Sequence, residues 1–325
     1  MKKITTPKQI LRLRPTYLQT PTATTDNINK SKKTQIEHKK HVLITGGSSG
    51  IGLAIAKQVA AKAKNSHITI VARDPEKLAK AKALIEATCL YPDQQIVLAI
   101  AADVRDQTQV AKAIKDATDL LGPLDLLVLC AGEAYCNEFE HLELKDHRDA
   151  MDVNYFGSLY AVQAALPNMT TGSNVIFLSS GVGLIGFYGY TAYAPSKFAI
   201  RGLAEALRGE TKKLGISVHV IYPGDTDTAQ LRQENLTKPP ITKELSSSGG
   251  ILSPEKVATL ILQGVAQGKF EVTTGGIVVA LLLRFHSLVS PILRLYENWV
   301  VEKHQEFSTT QPLPPVSSSN KTKEG

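Results

Sequence analysis

The apolar run His41-Val42-Leu43-Ile44-Thr45 passes without a polar break into Gly46-Gly47-Ser48-Ser49-Gly50-Ile51-Gly52, and Leu53 to Lys64 then follow a helical pattern. Few folds accommodate a strand that turns on glycine straight into a helix. Glycine lets the backbone approach a bound group and lets the helix sit close on its sheet. The helix start offers free N–H groups and the positive end of the macrodipole, which suits a pyrophosphate. Gly46, Ser48, Ser49, Gly50, Ile51 and Gly52 are therefore expected to hold a dinucleotide, although the spacing is Gly-x-x-x-Gly-x-Gly and not G-x-G-x-x-G.

The alternation continues. Strand-like runs near 42–45, 68–72, 95–101, 124–130, 174–179, 216–222 and 269–273 are separated by helical patterns near 50–64, 75–88, 106–120, 143–168, 192–214 and 254–267. Repeated β-α-β units require parallel strands, because each crossover helix returns the chain to the same end of the sheet. The expected fold class is α/β, a single Rossmann-type doubly wound parallel sheet with helices on both faces. It should occupy residues 39–275, with a substrate loop about 225–252. At 325 residues and 43% hydrophobic content, the chain can bury the core this needs.

The loops after the strands carry the remaining cofactor candidates. Arg73 follows Ile68-Thr69-Ile70-Val71-Ala72, at the point that faces the adenosine ribose in a doubly wound sheet. An acidic side chain there holds a free 2′-hydroxyl, whereas a basic one holds a 2′-phosphate. Arg73 thus points to NADP(H) over NAD; Asp74 beside it weakens that argument, and Lys77, one turn on, either reinforces it or is solvated. Asp103-Val104, after the third strand, is expected at the adenine, unless Asp103 merely holds its own turn. Ala131-Gly132 leaves room for ribose and nicotinamide, and Pro223-Gly224 with Thr226 and Thr228 should bend over the nicotinamide amide.

Tyr193 and Lys197 stand four residues apart at the start of an Ala-rich helical run, so they share one face. A phenol ionises near pH ~10 and is a poor acid or base at neutrality unless a fixed cation stabilises its anion. Lys197 can supply that charge; standing alone, the pair would be an ordinary surface pair. Ser180 lies thirteen residues before Tyr193 in a glycine-rich loop that can fold its hydroxyl back beside the phenol, with Ser179 a near-equal contender. Asn154 falls in mid-helix, where Asn is unfavourable. It is either a water anchor leading to Lys197 or a plain surface amide.

Charge narrows the function classes. Residues 1–41 hold ten Lys/Arg against Asp26 and Glu37, so the net charge of +7 sits there and the remainder is nearly neutral. A nucleic-acid-binding domain should carry its own basic stripe, so no nucleic-acid partner is expected. Residues 1–38 read as a disordered basic arm without the apolar stretch of a secretory signal, and 304–325 as a disordered tail. Ile10–Arg14, in an acid-poor context, leaves an organellar transit peptide open. Cys89, Cys130 and Cys136 have no C-x-x-C pairing, which suits reduced thiols in the cytoplasm and no metal. Between 276 and 303, Val278, Leu281, Leu282, Phe285, Leu288, Val289, Ile292, Leu295, Tyr296 and Trp299 recur at helical spacing, opposite Arg284, Ser287, Pro291, Arg294 and Asn298. The apolar run 277–283 is too short to span a bilayer. An amphipathic helix lying in a membrane surface, kinked at Pro291, is expected; packing on the protein or across a dimer is the other reading.

Taken together, Thr45-Gly46-x-x-x-Gly50-x-Gly52, Ala131-Gly132, Asn154, Ser180, Tyr193-x-x-x-Lys197 and Pro223-Gly224 resemble the short-chain dehydrogenase/reductase superfamily over roughly 39–272. Within it, the runs at 191–207, 222–228 and 234–240 are similar to the 3-ketodihydrosphingosine reductases. The resemblance implies an NADPH-dependent reduction of a long-chain lipid ketone and a homodimer or homotetramer. It also implies catalytic roles: Ser180 and Tyr193 on the carbonyl oxygen, Lys197 on the ribose, Asn154 in a relay. Another bulky ketone (retinoid, steroid or 3-oxoacyl) and a silent NADP-binding regulatory protein are the alternatives. Two departures stand out. Leu129-Cys130-Ala131-Gly132 lacks the Asn pair common in the superfamily, and Pro195 sits between Tyr193 and Lys197, which only a helix's first turn or a kink tolerates.

Overall fold

Seven strands pair in parallel in the order β3-β2-β1-β4-β5-β6-β7. They are β1 (Lys40–Thr45), β2 (Ser66–Ala72), β3 (Val97–Ala101), β4 (Leu124–Leu129), β5 (Met169–Leu178), β6 (Ser217–Tyr222) and β7 (Glu271–Thr273). The structure is a computed structural model and describes residues 40–246 and 250–308; the arm expected at 1–38 and the tail at 309–325 lie outside the described residues. The helices are α1 (Gly50–Lys62), α2 (Pro75–Glu86), α3 (Gln107–Leu121), α4 (Leu144–Met151), α5 (Gly157–Ala165), α6 (Tyr193–Thr211), α7 (Ala229–Thr237), α8 (Pro240–Ser246), α9 (Pro254–Ala266) and α10 (Gly276–Ser308).

Side-chain alternation along the strands builds two cores. Val42 and Ile44 of β1 join Ile68 and Ile70 of β2 under α1, α2 and α9. Leu43, one residue out of phase, faces the other way and packs with Leu127, Val175, Phe177 and Val220 under α3, α5 and α6. Each fully buried Leu, Ile or Val contributes about 1.5–3 kcal/mol, so this two-faced burial fixes the register at the carboxyl ends, where Thr45 stands opposite Val71 and Leu129. Strand order reverses between β1 and β4, which opens a crevice at their carboxyl ends. Asp74 and Asp106 cap α2 and α3, each accepting two backbone N–H bonds.

Three regions depart from the sequence expectations. The loop expected about 225–252 contains α7 and α8; neither is long enough to show a sustained period, and the Pro239-Pro240 break separates them. The long helix expected at 143–168 is interrupted by a π-helical turn, Asp152–Phe156, with Asn154 inside it. The final helix extends past residue 303 to Ser308, and it is kinked at Phe285, where the backbone leaves helical geometry, rather than at Pro291. The stretch Gly276–His304 is long and apolar enough to cross a membrane. That corrects an expectation drawn from the run 277–283 alone. The apolar stripe also divides. Val278, Leu282, Val289 and Val300 turn to the protein body. Leu281, Phe285, Leu288, Ile292, Leu295, Tyr296 and Trp299, with Ile277, stay exposed.

Candidate active site

The glycine turn has the shape of a cradle. Gly46 has φ 70° and Gly50 φ 54°, in the left-handed region that side chains avoid. A Cβ at Gly46 would lie 2.6 Å from the Ala131 backbone nitrogen, and one at Gly52 2.5 Å from the Gly46 carbonyl oxygen. Both clashes are with backbone and cannot be relieved by a rotamer change. Ser49 occupies the N-cap of α1 yet makes no capping bond, and the first turn has no acidic residue. Unlike α2 and α3, α1 thus keeps its leading N–H groups free for an anion, so the residues present fit a dinucleotide pyrophosphate.

A second pocket adjoins the turn, lined by Ser48, Ser49, Arg73, Lys77, Asp103, Val104, Gly132 and Glu133 among others. The Arg73 guanidinium pairs with Glu133 at 2.6 Å. Lys77 is exposed and lies 3.4 Å from the Asp74 carboxylate. The Asp103 carboxylate takes a forked bond from Arg105, at 3.0 and 2.6 Å on one oxygen, and also accepts the Arg105 backbone N–H. These bonds tie Asp103 into its own turn while it lines the same pocket as Arg73. Glu133 and Arg105 escaped the sequence reading because nothing in their spacing marks them; the partner of Glu133, Arg73, lies on another loop, whereas Arg105 bonds Asp103 within one turn.

The catalytic candidates converge across the crevice. Tyr193, Lys197, Ser180, Gly132, Pro223, Gly224, Thr226 and Thr228 line one cavity with Gly46, Ser48, Ser49, Gly50, Ile51, Gly52 and Ala131. Tyr193 opens α6, which puts Pro195 in the first turn, where a missing N–H is harmless, and the helix does not kink there. Lys197 is 5% exposed. Its Nζ donates to the Leu178 carbonyl at 3.1 Å and lies 5.4 Å from the centre of the Tyr193 ring. Burial pulls the Lys197 ammonium down to about 8. Burial also pushes the Tyr193 phenol well above its ordinary range; the charges of Glu234 and Asp225 push the same way, while hydrogen bonding from Ser180 and Gln230 pulls back. The expected lowering of the phenol by Lys197 is absent, because the ammonium sits over the ring and desolvation dominates. The phenol accordingly stays protonated at neutral pH.

The two serines separate. Ser179 is buried and its Oγ donates to the Lys197 carbonyl at 2.9 Å, so its proton is committed to backbone. Ser180 starts the short turn Gly181–Gly183, and its hydroxyl is the one within hydrogen-bonding reach of the Tyr193 phenol. Asn154 is no surface amide. Fully buried, its Oδ1 accepts the Glu133 N–H at 2.9 Å, and its Nδ2 donates to the Glu133 carbonyl at 3.0 Å and to Ser196 Oγ at 2.8 Å. The π turn aims it there; such turns mark functional positions. A Cβ on Gly132 would stand 3.0 Å from Asn154 Oδ1 and 3.5 Å from Lys197 Nζ, so this glycine lets both groups close on the same space. Thr228 caps α7 through its Oγ1, and Thr226 donates to the Gly224 carbonyl, which shapes the bend after β6.

The sequence model of the short chain dehydrogenase family matches residues 40–239, most of the described chain. The chain belongs to the short chain dehydrogenase family. Among its relatives, the 3-dehydrosphinganine reductase of Danio rerio is 45% identical over 238 residues, 72% of this chain and 71% of that one. The 3-ketodihydrosphingosine reductase of Mus musculus is 44% identical over the same shares. A short chain dehydrogenase from Burkholderia cenocepacia J2315, solved in complex with NADP, superposes with a TM-score of 0.64 at 29% identity, covering 74% of this chain and 97% of that one. Family membership makes the Rossmann-type sheet and the oxidoreductase class plain findings.

Proposed function

We propose that this short chain dehydrogenase reduces 3-ketodihydrosphingosine to dihydrosphingosine with NADPH. The observation that carries the reading is the 44–45% identity, over 72% of the chain, with reductases named for that substrate. The site supports it chemically. Bound on the glycine cradle, with its 2′-phosphate toward Arg73, NADPH would supply the hydrogen and electrons that reduce the ketone carbon. Tyr193 holds the proton that the ketone oxygen needs, and its raised pKa keeps that proton in place until the oxygen becomes basic. Ser180 fixes the same oxygen. Lys197 carries a buried positive charge that favours the phenolate left behind and reaches toward the ribose. Asn154 ties the Glu133 and Ser196 segments together beside Lys197 and, in this reading, serves in the proton relay.

A long alkyl chain needs an apolar exit. Tyr190 lines the catalytic cavity and also borders an adjoining groove with Phe187, Ala194, Pro195 and Phe198, closed on one side by Glu297 of α10. The exposed face of α10 stands nearby, and we assign it to a membrane surface from which the ketone enters. The test is NADPH consumption by the purified protein against 3-ketodihydrosphingosine, a 3-oxoacyl thioester, a steroid ketone and retinal. The reading expects the first to be preferred by at least about tenfold in kcat/KM; preference for any other ketone, or none reduced, overturns it.

A further inference from the structure

At the adenosine end of the cleft the chain balances its own charges. The pocket there is lined by Arg73, Lys77, Asp74, Asp103 and Glu133, and Arg105 reaches Asp103 from the neighbouring turn. Each cation has a carboxylate: Arg73 pairs with Glu133 at 2.6 Å, Lys77 with Asp74 at 3.4 Å and Arg105 with Asp103 at 2.6 Å. The charges also act across the pairs, Arg73 on Asp103 and Glu133 on Arg105. Asp149, whose charge also reaches Arg105, is itself paired with Lys145. A 2′-phosphate arriving at Arg73 therefore meets a cation that already has its counterion, and a carboxylate has to give way.

The hydrogen bonds say which one. Asp74 accepts the backbone N–H groups of Glu76 and Lys77, both at 3.0 Å, and so caps α2; Asp103 accepts the backbone N–H of Arg105 at 3.0 Å. Moving either carboxylate would undo a cap or a turn. The Glu133 carboxylate, among the described residues, is held by side chains alone: by Arg73, and by the Tyr135 hydroxyl, which donates to it at 2.8 Å. The backbone of Glu133 is fixed instead, its N–H donating to Asn154 Oδ1 at 2.9 Å and its carbonyl accepting from Asn154 Nδ2 at 3.0 Å. The side chain can therefore swing off Arg73 while the chain stays in place. The Arg73 side chain is 59% exposed, so a phosphate reaches it from solvent. After the exchange Glu133 keeps the Tyr135 hydroxyl and the field of Arg105.

We propose that Glu133 is a specificity-determining residue for the cofactor, an internal counterion on Arg73 that the 2′-phosphate of NADPH displaces and that NADH, which lacks this phosphate, leaves in place. The inference rests on the assignment of Arg73 to the 2′-phosphate and deepens it. Discrimination is the difference between two binding free energies. Breaking the Arg73–Glu133 pair counts against NADPH alone, so Glu133 narrows the preference that Arg73 creates.

The experiment measures the dissociation constants of NADPH and NADH by calorimetry, at one ionic strength, for the wild type, Glu133→Gln, Arg73→Ala and the double variant. The Gln side chain still accepts the Tyr135 hydroxyl and leaves both backbone bonds to Asn154 intact, so Glu133→Gln should fold. It should tighten NADPH by about 3- to 5-fold, the upper end of what an exposed ion pair is worth, and should not tighten NADH. With Arg73 replaced by Ala there is no pair to break, and the gain from Glu133→Gln should vanish, which is the coupling a double-mutant cycle isolates. A role confined to holding the loop would move both cofactors alike. NADPH binding unchanged in Glu133→Gln, equal tightening of both cofactors, or the same gain in the Arg73→Ala background overturns the role of Glu133 alone. A ratio of the two constants that Arg73→Ala leaves unchanged overturns the phosphate assignment and this inference with it.

Discussion

At the scale of single residues, burial outweighs charge pairing in this site. Lys197 makes the consequence measurable. Its ammonium ionises near about 8 in the folded protein against an ordinary 10.5. Between those values the unfolded chain binds the proton and the folded chain does not, so folding stability must rise with pH across that window. The difference is on the order of 3 kcal/mol. Urea denaturation of the cofactor-free protein from pH 7.5 to 10.5 should show the rise, and Lys197→Met should remove it; parallel profiles would mean that Lys197 is not desolvated. Arg73 offers a second test. Its ion pair with Glu133 is more than half exposed on the arginine side and worth little by itself, so a phosphate can displace it. Arg73→Ala should lower the preference for NADPH over NADH by about 10- to 100-fold, read from the two dissociation constants. An unchanged ratio would remove Arg73 from the phosphate site. Tyr193, Lys197 and the glycines were legible because their chemistry dictates their spacing. The choice between Ser180 and Ser179 was not, since it depends on which hydroxyl the α6 backbone captures.

At the scale of elements, the sequence read well wherever a single period governed burial. Strands β1, β2, β4 and β6 are short apolar runs, α1 is an apolar helix that follows the glycine turn, and α3 and α9 are one-faced helices with clear ends, so their existence followed from pattern. The π turn at Asp152–Phe156 left only an out-of-place Asn as its trace, because one extra residue in a helical turn barely alters the spacing around it. Helix α10 was misread for a different reason. It is apolar on two faces, one packed on the body and one exposed, and a period cannot say which is which. Truncation would strip Leu282 and Val300 from the core, so substitution on the exposed face is the cleaner probe. Leu288→Glu with Leu295→Glu should release the protein from liposomes containing anionic lipid while turnover of a short soluble ketone survives. Liposome binding equal to wild type would assign α10 to another partner.

At the scale of the whole molecule, the sheet, the crevice and the helical flank form one arrangement. The strand reversal between β1 and β4 puts the glycine cradle and the Tyr193 face of α6 on opposite sides of one cleft, and the β6–α7 segment closes it with Asp225 and Glu234. That closing segment was the least legible part of the site, because α7 and α8 are short and draw their stability from tertiary packing rather than propensity. The account's central claim is that Tyr193 protonates a long-chain amino ketone in this cleft. Mass-spectrometric detection of dihydrosphingosine from 3-ketodihydrosphingosine and NADPH, by the wild type and by Tyr193→Phe, tests it most directly. The account predicts product from the wild type, and from the Phe variant a rate about 10²–10⁴-fold lower with NADPH still bound. Product formed at comparable rates by both proteins would contradict it.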